Sequence, residues 1–270
     1  MSRLDGTASS VSRVDNVLAA NSNSFHSYSG NEAFAGIAAA GYRHVELLAV
    51  PGWTEHVSLD RPLDLLGYDL TPVSLSAHSD LTTRAGLEHG LRAVRWAAEN
   101  GIPIVNTAIG GHSSIDEDES AFLANIGALA DVAETAGVTL TLEIHGDLMA
   151  SGARTLPLLE RIGRDSVKVN YDTGNVWHYA GVRAEDDLPL IVDHVAHVHL
   201  KDVRGAVGEW DFPALGEGTV DFARILEILR AASYSGPLSV EIEFQGEPWP
   251  PLAEVTGALR RSREHVEALA

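Results

Sequence analysis

The chain has 270 residues, 45 % of them apolar, no cysteine and a formal charge of −19. The missing cysteines exclude a disulfide scaffold, a thiolate metal site and a cysteine nucleophile. The charge speaks against a nucleic-acid partner, because binding phosphates depends on Lys and Arg. The opening MSRLDGTASS lacks the apolar run of a signal peptide, and no window holds about 18 uninterrupted apolar residues, so a soluble, cytoplasmic protein without a membrane partner is expected.

Residues 1–13 read as a loose tail and 14–270 as one domain. In chain order the spacing predicts a strand at 17–23, a helix at 31–40, strands at 43–49 and 72–78, and a helix at 85–99. A strand at 103–109 and a helix at 118–136 follow, then a strand at 138–145 (VTLTLEIH) and a helix at 153–163. The last part holds a strand at 166–172 (SVKVNYD), a helix at 185–193, a strand at 195–201 (VAHVHLK), a long loop at 204–219, a helix at 220–233, a strand at 237–244 (PLSVEIEF) and a helix at 252–268. Gly41, Gly101, Gly137 and Gly236 each stand between a helix and the next strand, as C′ glycines do. Gly110 to His112 read as a loop, and the acidic run 116–120 as a helix N-terminus.

Eight strands alternating with helices point to a single (β/α)8 TIM barrel in the α/β class. An open doubly wound sheet is the rival, but its strands would be apolar on both faces. Here one parity is polar in strand after strand. Thr141, Glu143 and His145 oppose Leu140, Leu142 and Ile144; Lys168, Asn170 and Asp172 oppose Val167, Val169 and Tyr171. His197, His199 and Lys201 oppose Ala196, Val198 and Leu200; Ser239, Glu241 and Glu243 oppose Leu238, Val240 and Ile242. In a closed parallel barrel that parity points inward, and the strand C-termini form the catalytic face. Glu143, Asp172, His199 and Glu241 would converge there. Three carboxylates and an imidazole together repel one another and lose hydration unless a cation joins them. The O/N donor set suits Mn²⁺, Mg²⁺, Co²⁺ or Zn²⁺.

The stretches LEIHGD, VNYDTGN, HVHLKDVRG, LGEGTVDF and SGPLSVEIE resemble the sugar-phosphate isomerase/epimerase group of xylose isomerase-like TIM barrels, which includes inosose isomerases and dehydratases, ketose 3-epimerases and 3-keto-glycoside-processing lyases. The resemblance runs from about residue 14 to 265. It implies that Glu143, Asp172, His199 and Glu241 bind one divalent ion, Mn²⁺ foremost, and that the substrate is a carbohydrate or cyclitol chelating it through a carbonyl and a neighbouring hydroxyl. Glu243 shares the parity of Glu241, and the family's spacing favours Glu241. Polarising the carbonyl would acidify the adjacent C–H, and Glu143 and Glu241 could move a proton on either face of the enediolate.

Two features of one subgroup are missing. The resembling ketose 3-epimerases carry an Asn-Arg-aromatic-Glu run after the strand-5 glutamate and a His three residues past the strand-6 aspartate. This chain has IHGD, and Asn175, at those places, and Asn175 reads as a substrate contact. His145 then stands either as an acid/base or as a hydrogen-bonding orienter. His78, on the parity of Ser74 and Ser76, reads as a substrate contact. Glu46 reads as a pocket residue or a structural ion pair, and Lys201 as a group that polarises a substrate oxygen or neutralises the acidic cluster. Asp202 and Arg204 read as a substrate clamp or a surface salt bridge. Trp53, Trp177 and Trp210 follow strands 2, 6 and 7 and could stack on sugar C–H faces.

The reading is a metal-dependent isomerase or epimerase of an unphosphorylated or lightly anionic keto-sugar or inosose. The alternative is a lyase on the same substrates: a dehydratase, or an enzyme cleaving 3-keto-glycosides, including C-glycosides. A third reading is a non-catalytic barrel that binds a sugar, and either a second copy or a partner subunit is compatible with the sequence. The related DNA-repair endonucleases fail on charge and on the number of ligands for a multi-zinc cluster.

Overall fold

The computed structural model describes residues 16–108 and 119–269. Its elements are β1 (Leu18–Asn21), α1 (Gly30–Ala39), β2 (His44–Val50), β3 (Thr54–Glu55), β4 (Thr71–Ser76), α2 (Arg84–Glu99), β5 (Ile104–Thr107), α3 (Glu119–Ala136) and β6 (Thr139–Glu143). They continue with α4 (Gly152–Ile162), β7 (Val167–Asp172), α5 (Asn175–Ala180), α6 (Ala184–Ile191), β8 (Val195–Leu200), α7 (Phe222–Ala231), β9 (Leu238–Val240) and α8 (Leu252–Leu269). Strands β1, β2 and β4 to β9 pair in parallel, and β9 returns to β1, closing an eight-stranded barrel. The short β3 folds back antiparallel on β2, outside that ring. The expected tail, the Gly110–His112 loop and most of the acidic run lie outside the described residues.

The strand alternation divides the barrel into two environments. Leu140, Leu142, Val169, Tyr171, Val198, Leu200 and Val240 are wholly buried in the core cluster. Between these positions, the opposite parity carries polar groups that are just as deeply buried: Glu46, Ser74, Asn106, Thr141, Asn170, His197 and Ser239, one from each of β2 and β4 to β9. Buried polar groups are as a rule hydrogen-bonded, and all of these but Ser239 bond one another in a polar floor under the barrel mouth.

Local chemistry sets the ends. β1 stops at Asn21 because its side chain accepts the Asn23 N–H at 2.9 Å and starts a 3₁₀ turn, Ser22–Phe25. The short α5 went unread in the sequence; it begins where Asp172 Oδ1 accepts the N–H groups of Gly174 and Asn175 at 2.9 and 2.8 Å. Gly41, Gly101 and Gly137 are left-handed, as C′ glycines are, but Gly236 is not. At that corner Ser233 takes the positive φ, 56°. Gly236 is needed for closeness instead: a Cβ there would lie 2.5 Å from both the Ala196 carbonyl oxygen and Tyr234 Oη.

His56, just past β3, ties the first βα loop to the barrel by donating from Nε2 to the Tyr28 carbonyl at 3.2 Å. Burial holds its imidazolium down to about 4 against an ordinary 6.5. The folded protein therefore keeps His56 neutral where the unfolded chain would protonate it. Its contribution to stability is full above pH 6.5 and falls away as pH drops toward 4, by about 3 kcal/mol in all. Urea unfolding at pH 7, 5.5 and 4 should show that much less acid sensitivity in His56→Gln than in the wild type; equal slopes would refute the assignment.

Candidate metal centre

Glu143 ends β6, Asp172 ends β7, His199 is the second-last residue of β8, and Glu241 follows β9 directly. One ligand atom from each lies within 4.8 Å of all the others, and all four residues are buried. His199 Nδ1 stands 3.7 Å from Glu143 Oε2, 3.6 Å from Asp172 Oδ2 and 3.5 Å from Glu241 Oε2.

Each carboxylate has one oxygen engaged by neutral donors. Glu143 Oε1 accepts from Asn175 Nδ2 at 3.1 Å, and Glu241 Oε1 accepts from Asn21 and Asn23 Nδ2, both at 3.0 Å. Asp172 is the sharpest case. Its Oδ1 takes two backbone N–H groups, while its Oδ2 is buried with no hydrogen-bond donor among the described residues. A buried carboxylate oxygen so placed carries a large desolvation cost, and a cation among the four donors would offset it. Three oxygens and one imidazole nitrogen fit a divalent ion of the Mn²⁺, Mg²⁺, Co²⁺ or Zn²⁺ type.

The charges depend on one another. Burial raises the Asp172 carboxyl above its ordinary range, although Lys201 opposes this. Burial works the same way on Glu143, but His78 and His199 together hold it well below that range. Glu243, also desolvated, is pushed up to about 7 despite its contact with Lys201. Lys201 is buried and bridges the acidic cluster: Nζ bonds Glu243, lies 3.2 Å from Glu241 Oε2 and 3.8 Å from Asp172 Oδ2. Of the two readings for Lys201, the structure displays the neutralising contacts.

A cavity of about 210 Å³ reaches the cluster at Glu143 and Glu241, with Asp172 and His199 buried behind them, and is lined further by Trp53, His78, His145, Lys201, Trp210 and Glu243. His78 Nε2 lies 2.9 Å from Glu143 Oε2. His145 Nε2 meets Tyr179 Oη at 3.1 Å, and its ring stands 6.2 Å from that of His78. Trp53, 47 % exposed, donates Nε1 to Asn23 Oδ1 and stacks on His26.

Other anticipated residues sit elsewhere. Glu46 is wholly buried beneath His199, 2.9 Å from its Nε2, and does not line the cavity. Asn175 spends its amide on Glu143 and on the Ile144 carbonyl. Arg204 forks onto Asp211 at 2.9 Å, Trp177 donates to the Gly205 carbonyl, and neither lines the cavity. Asp202 is no clamp: it is fully buried and accepts four backbone N–H groups of its own loop. The sequence reading passed over Asn21, Asn23 and Tyr179. Asn21 and Asn23 share one parity of the stretch 17–23, which was the available signal, although the strand stops at Asn21 and Asn23 lies in the 3₁₀ turn that follows.

A family profile described as xylose isomerase-like TIM barrel matches residues 34–265. The inosose dehydratase of Salmonella typhimurium (strain LT2) is 27 % identical over 166 residues, covering 53 % of this chain and 52 % of the relative, so the chain spans about half the length of that relative. The L-ribulose 3-epimerase of Methylomonas sp. (strain DH-1) is 26 % identical over 253 residues, 87 % of this chain and 85 % of the relative. Among solved structures, an L-ribulose 3-epimerase superposes with a TM-score of 0.75 at 19 % identity, covering 94 % of both chains. The IOLI protein, solved with a zinc atom, superposes at 0.74 and 18 % identity, covering 94 % of this chain and 99 % of that one. At these identities the structural likeness speaks to the fold.

Proposed function

The chain belongs to the xylose isomerase-like TIM barrel family, and from that premise we propose that it is a divalent-metal-dependent isomerase or epimerase of a keto-sugar or inosose. The observation that carries this reading is Asp172 Oδ2, buried without a donor among Glu143, His199 and Glu241, the two glutamates of which line a cavity of about 210 Å³. Glu143, Asp172, His199 and Glu241 would hold the ion, which when bound would polarise the substrate carbonyl and acidify the C–H beside it.

The chain's own groups would do the rest. Glu143 ends β6 and Glu241 follows β9, with β7 and β8 between; each has one oxygen fixed by asparagine amides, and both residues line the cavity. Either could take the proton from one face of the carbon, and the other return it on the opposite face. Trp53 and Trp210 offer apolar walls for sugar C–H faces. Lys201 is committed to carboxylates, and no arginine lines the cavity among the described residues, which favours neutral substrates over phosphate esters.

One observation favours a lyase as the second reading. The His145–Tyr179 pair stands in reach of the cavity, beyond the four donors, where it could hand a proton to a departing hydroxyl. The same enolisation would then expel water or an aglycone instead of returning the proton. The similarity to an inosose dehydratase points the same way.

Incubation of the Mn²⁺-loaded protein in D₂O with ketoses, inososes, 3-keto-glycosides and their phosphate esters distinguishes these readings. We expect deuterium in a neutral substrate and its epimer, with the phosphate esters lagging. Loss of water or aglycone would replace the isomerase with the lyase. No exchange across the panel would overturn both.

A further inference from the structure

The polar floor beneath the four donors has an order that the proposed reaction does not itself require. His199 uses its two ring nitrogens in opposite directions: Nδ1 faces Glu143, Asp172 and Glu241, whereas Nε2 lies 2.9 Å from Glu46 Oε2. Glu46 is wholly buried, so its carboxylate needs donors. Two reach it across the barrel interior from β5 and β8: Asn106 Nδ2 on Oε1 and His199 Nε2 on Oε2.

The surrounding groups leave Glu46 little freedom. Asn106 is itself fixed by Thr141, whose hydroxyl donates to Asn106 Oδ1, and this turns the Asn106 amide nitrogen toward Glu46. His197, one parity step below His199, donates from Nδ1 to Asn170 Oδ1 at 2.8 Å, and its Nε2 meets Ser74 Oγ at 3.0 Å. The Asn21 and Asn170 amide nitrogens also approach His199 Nε2, at 3.4 and 3.2 Å. Asn21 has a nearer acceptor in Glu241 at 3.0 Å, and a carboxylate at 2.9 Å can only accept. Nε2 therefore carries a proton directed at Glu46.

We propose that Glu46 is a positioning residue that takes the Nε2–H of His199, fixing the tautomer and ring orientation that present Nδ1 to the three carboxylates. This rests on reading those four residues as a metal centre. An outer carboxylate of this kind raises the basicity of a ligating imidazole, and its loss costs about 10- to 100-fold in metal affinity. Glu46→Gln is an informative change. The glutamine has one acceptor and one NH₂ where the glutamate has two acceptors, so Asn106 and His199 cannot both donate to it. If the amide oxygen stays with Asn106, the NH₂ meets Nε2 and drives the proton to Nδ1, the nitrogen that would bind the ion.

The first measurement needs no variant. Long-range ¹H–¹⁵N correlation of the Zn²⁺-loaded wild type should show His199 protonated at Nε2 with that proton in a strong hydrogen bond. Zinc on Nε2, with the proton on Nδ1, would overturn the proposal. Calorimetric titration with Zn²⁺ should then show affinity about 10- to 100-fold lower in E46Q, beyond any change in thermal stability of the metal-free proteins. Glu46 as a structural ion pair alone predicts the reverse, a stability loss with unchanged affinity in the folded protein. A wild type that takes up no Zn²⁺ overturns the metal-centre reading and this one with it. A wild type that binds, beside an E46Q that binds equally well, overturns only the role of Glu46.

Discussion

Asp172→Asn should cut kcat/KM by about a thousandfold, on whichever substrate exchanges deuterium, while leaving the barrel intact. The asparagine oxygen can still accept the Gly174 and Asn175 N–H groups that start α5, so the local backbone keeps its anchors. What changes is the other atom, where a donor-free oxygen becomes an NH₂ group with no lone pair for a cation. A Lewis acid supplies several kcal/mol of transition-state stabilisation, and about 4 kcal/mol is a factor of 10³. Metal content after dialysis should fall in parallel. The metal-free variant should melt at the same temperature as the wild type or higher, since burial pushes the Asp172 carboxyl up and marks its charged form as costly. Full metal occupancy and turnover in the variant would remove Asp172 from the centre. A collapse of stability would make it a structural carboxylate instead.

The barrel was legible because its signal is repetitive. The same two-residue alternation recurs from β6 to β9, and only a parallel barrel gives every strand one solvent-free polar face and one apolar face toward helices. The convergence of Glu143, Asp172 and His199 follows from that parity together with their places at strand ends. Depth is harder to read. Glu46 has the right parity, but it lies four residues before the end of β2 and pairs with Asn21, so it reaches His199 from below instead of the cavity. Its distance from the strand end was the available clue.

Beyond the last paired residue parity loses meaning, which is why Glu241 and Glu243 stayed open in the sequence. β9 ends at Val240. After it Glu243 forms a bridge with Phe212 and bonds Lys201, while Glu241 keeps its Oε2 3.5 Å from His199. Loops, and a helix as short as α5, carry no readable period. Nothing in the spacing of Arg204, Trp177 or Asn175 could show that their polar atoms would be used on Asp211, Gly205 and Glu143.

Asp202→Ala should destabilise the protein by about 3–5 kcal/mol and raise KM for the exchanging substrate. Asp202 accepts Val203 N at 2.9 Å and Val220 N at 3.1 Å on Oδ1, and Gly216 N at 2.9 Å and Gly218 N at 2.8 Å on Oδ2. One buried carboxylate thus closes both ends of the 203–220 loop, which explains the glycines of LGEGTV. A Cβ on Gly218 would lie 2.3 Å from Asp202 Oδ1, and Gly216 needs its φ of +87°. Removing the carboxylate leaves four donors without their charged acceptor. Each is worth about 1–3 kcal/mol where water cannot replace it, and the part-buried ones recover some of that loss. The loop brings Trp210 to the cavity and pairs Phe212 with Glu243, so its loosening should weaken substrate binding more than the chemical step. Urea unfolding and steady-state kinetics of Asp202→Ala, with Gly218→Ala as an independent way of opening the same cradle, check this together. Losses below about 1 kcal/mol in both variants would mean that the loop holds its shape without Asp202. A fall in kcat at constant KM would mean that it positions the acids more than the substrate.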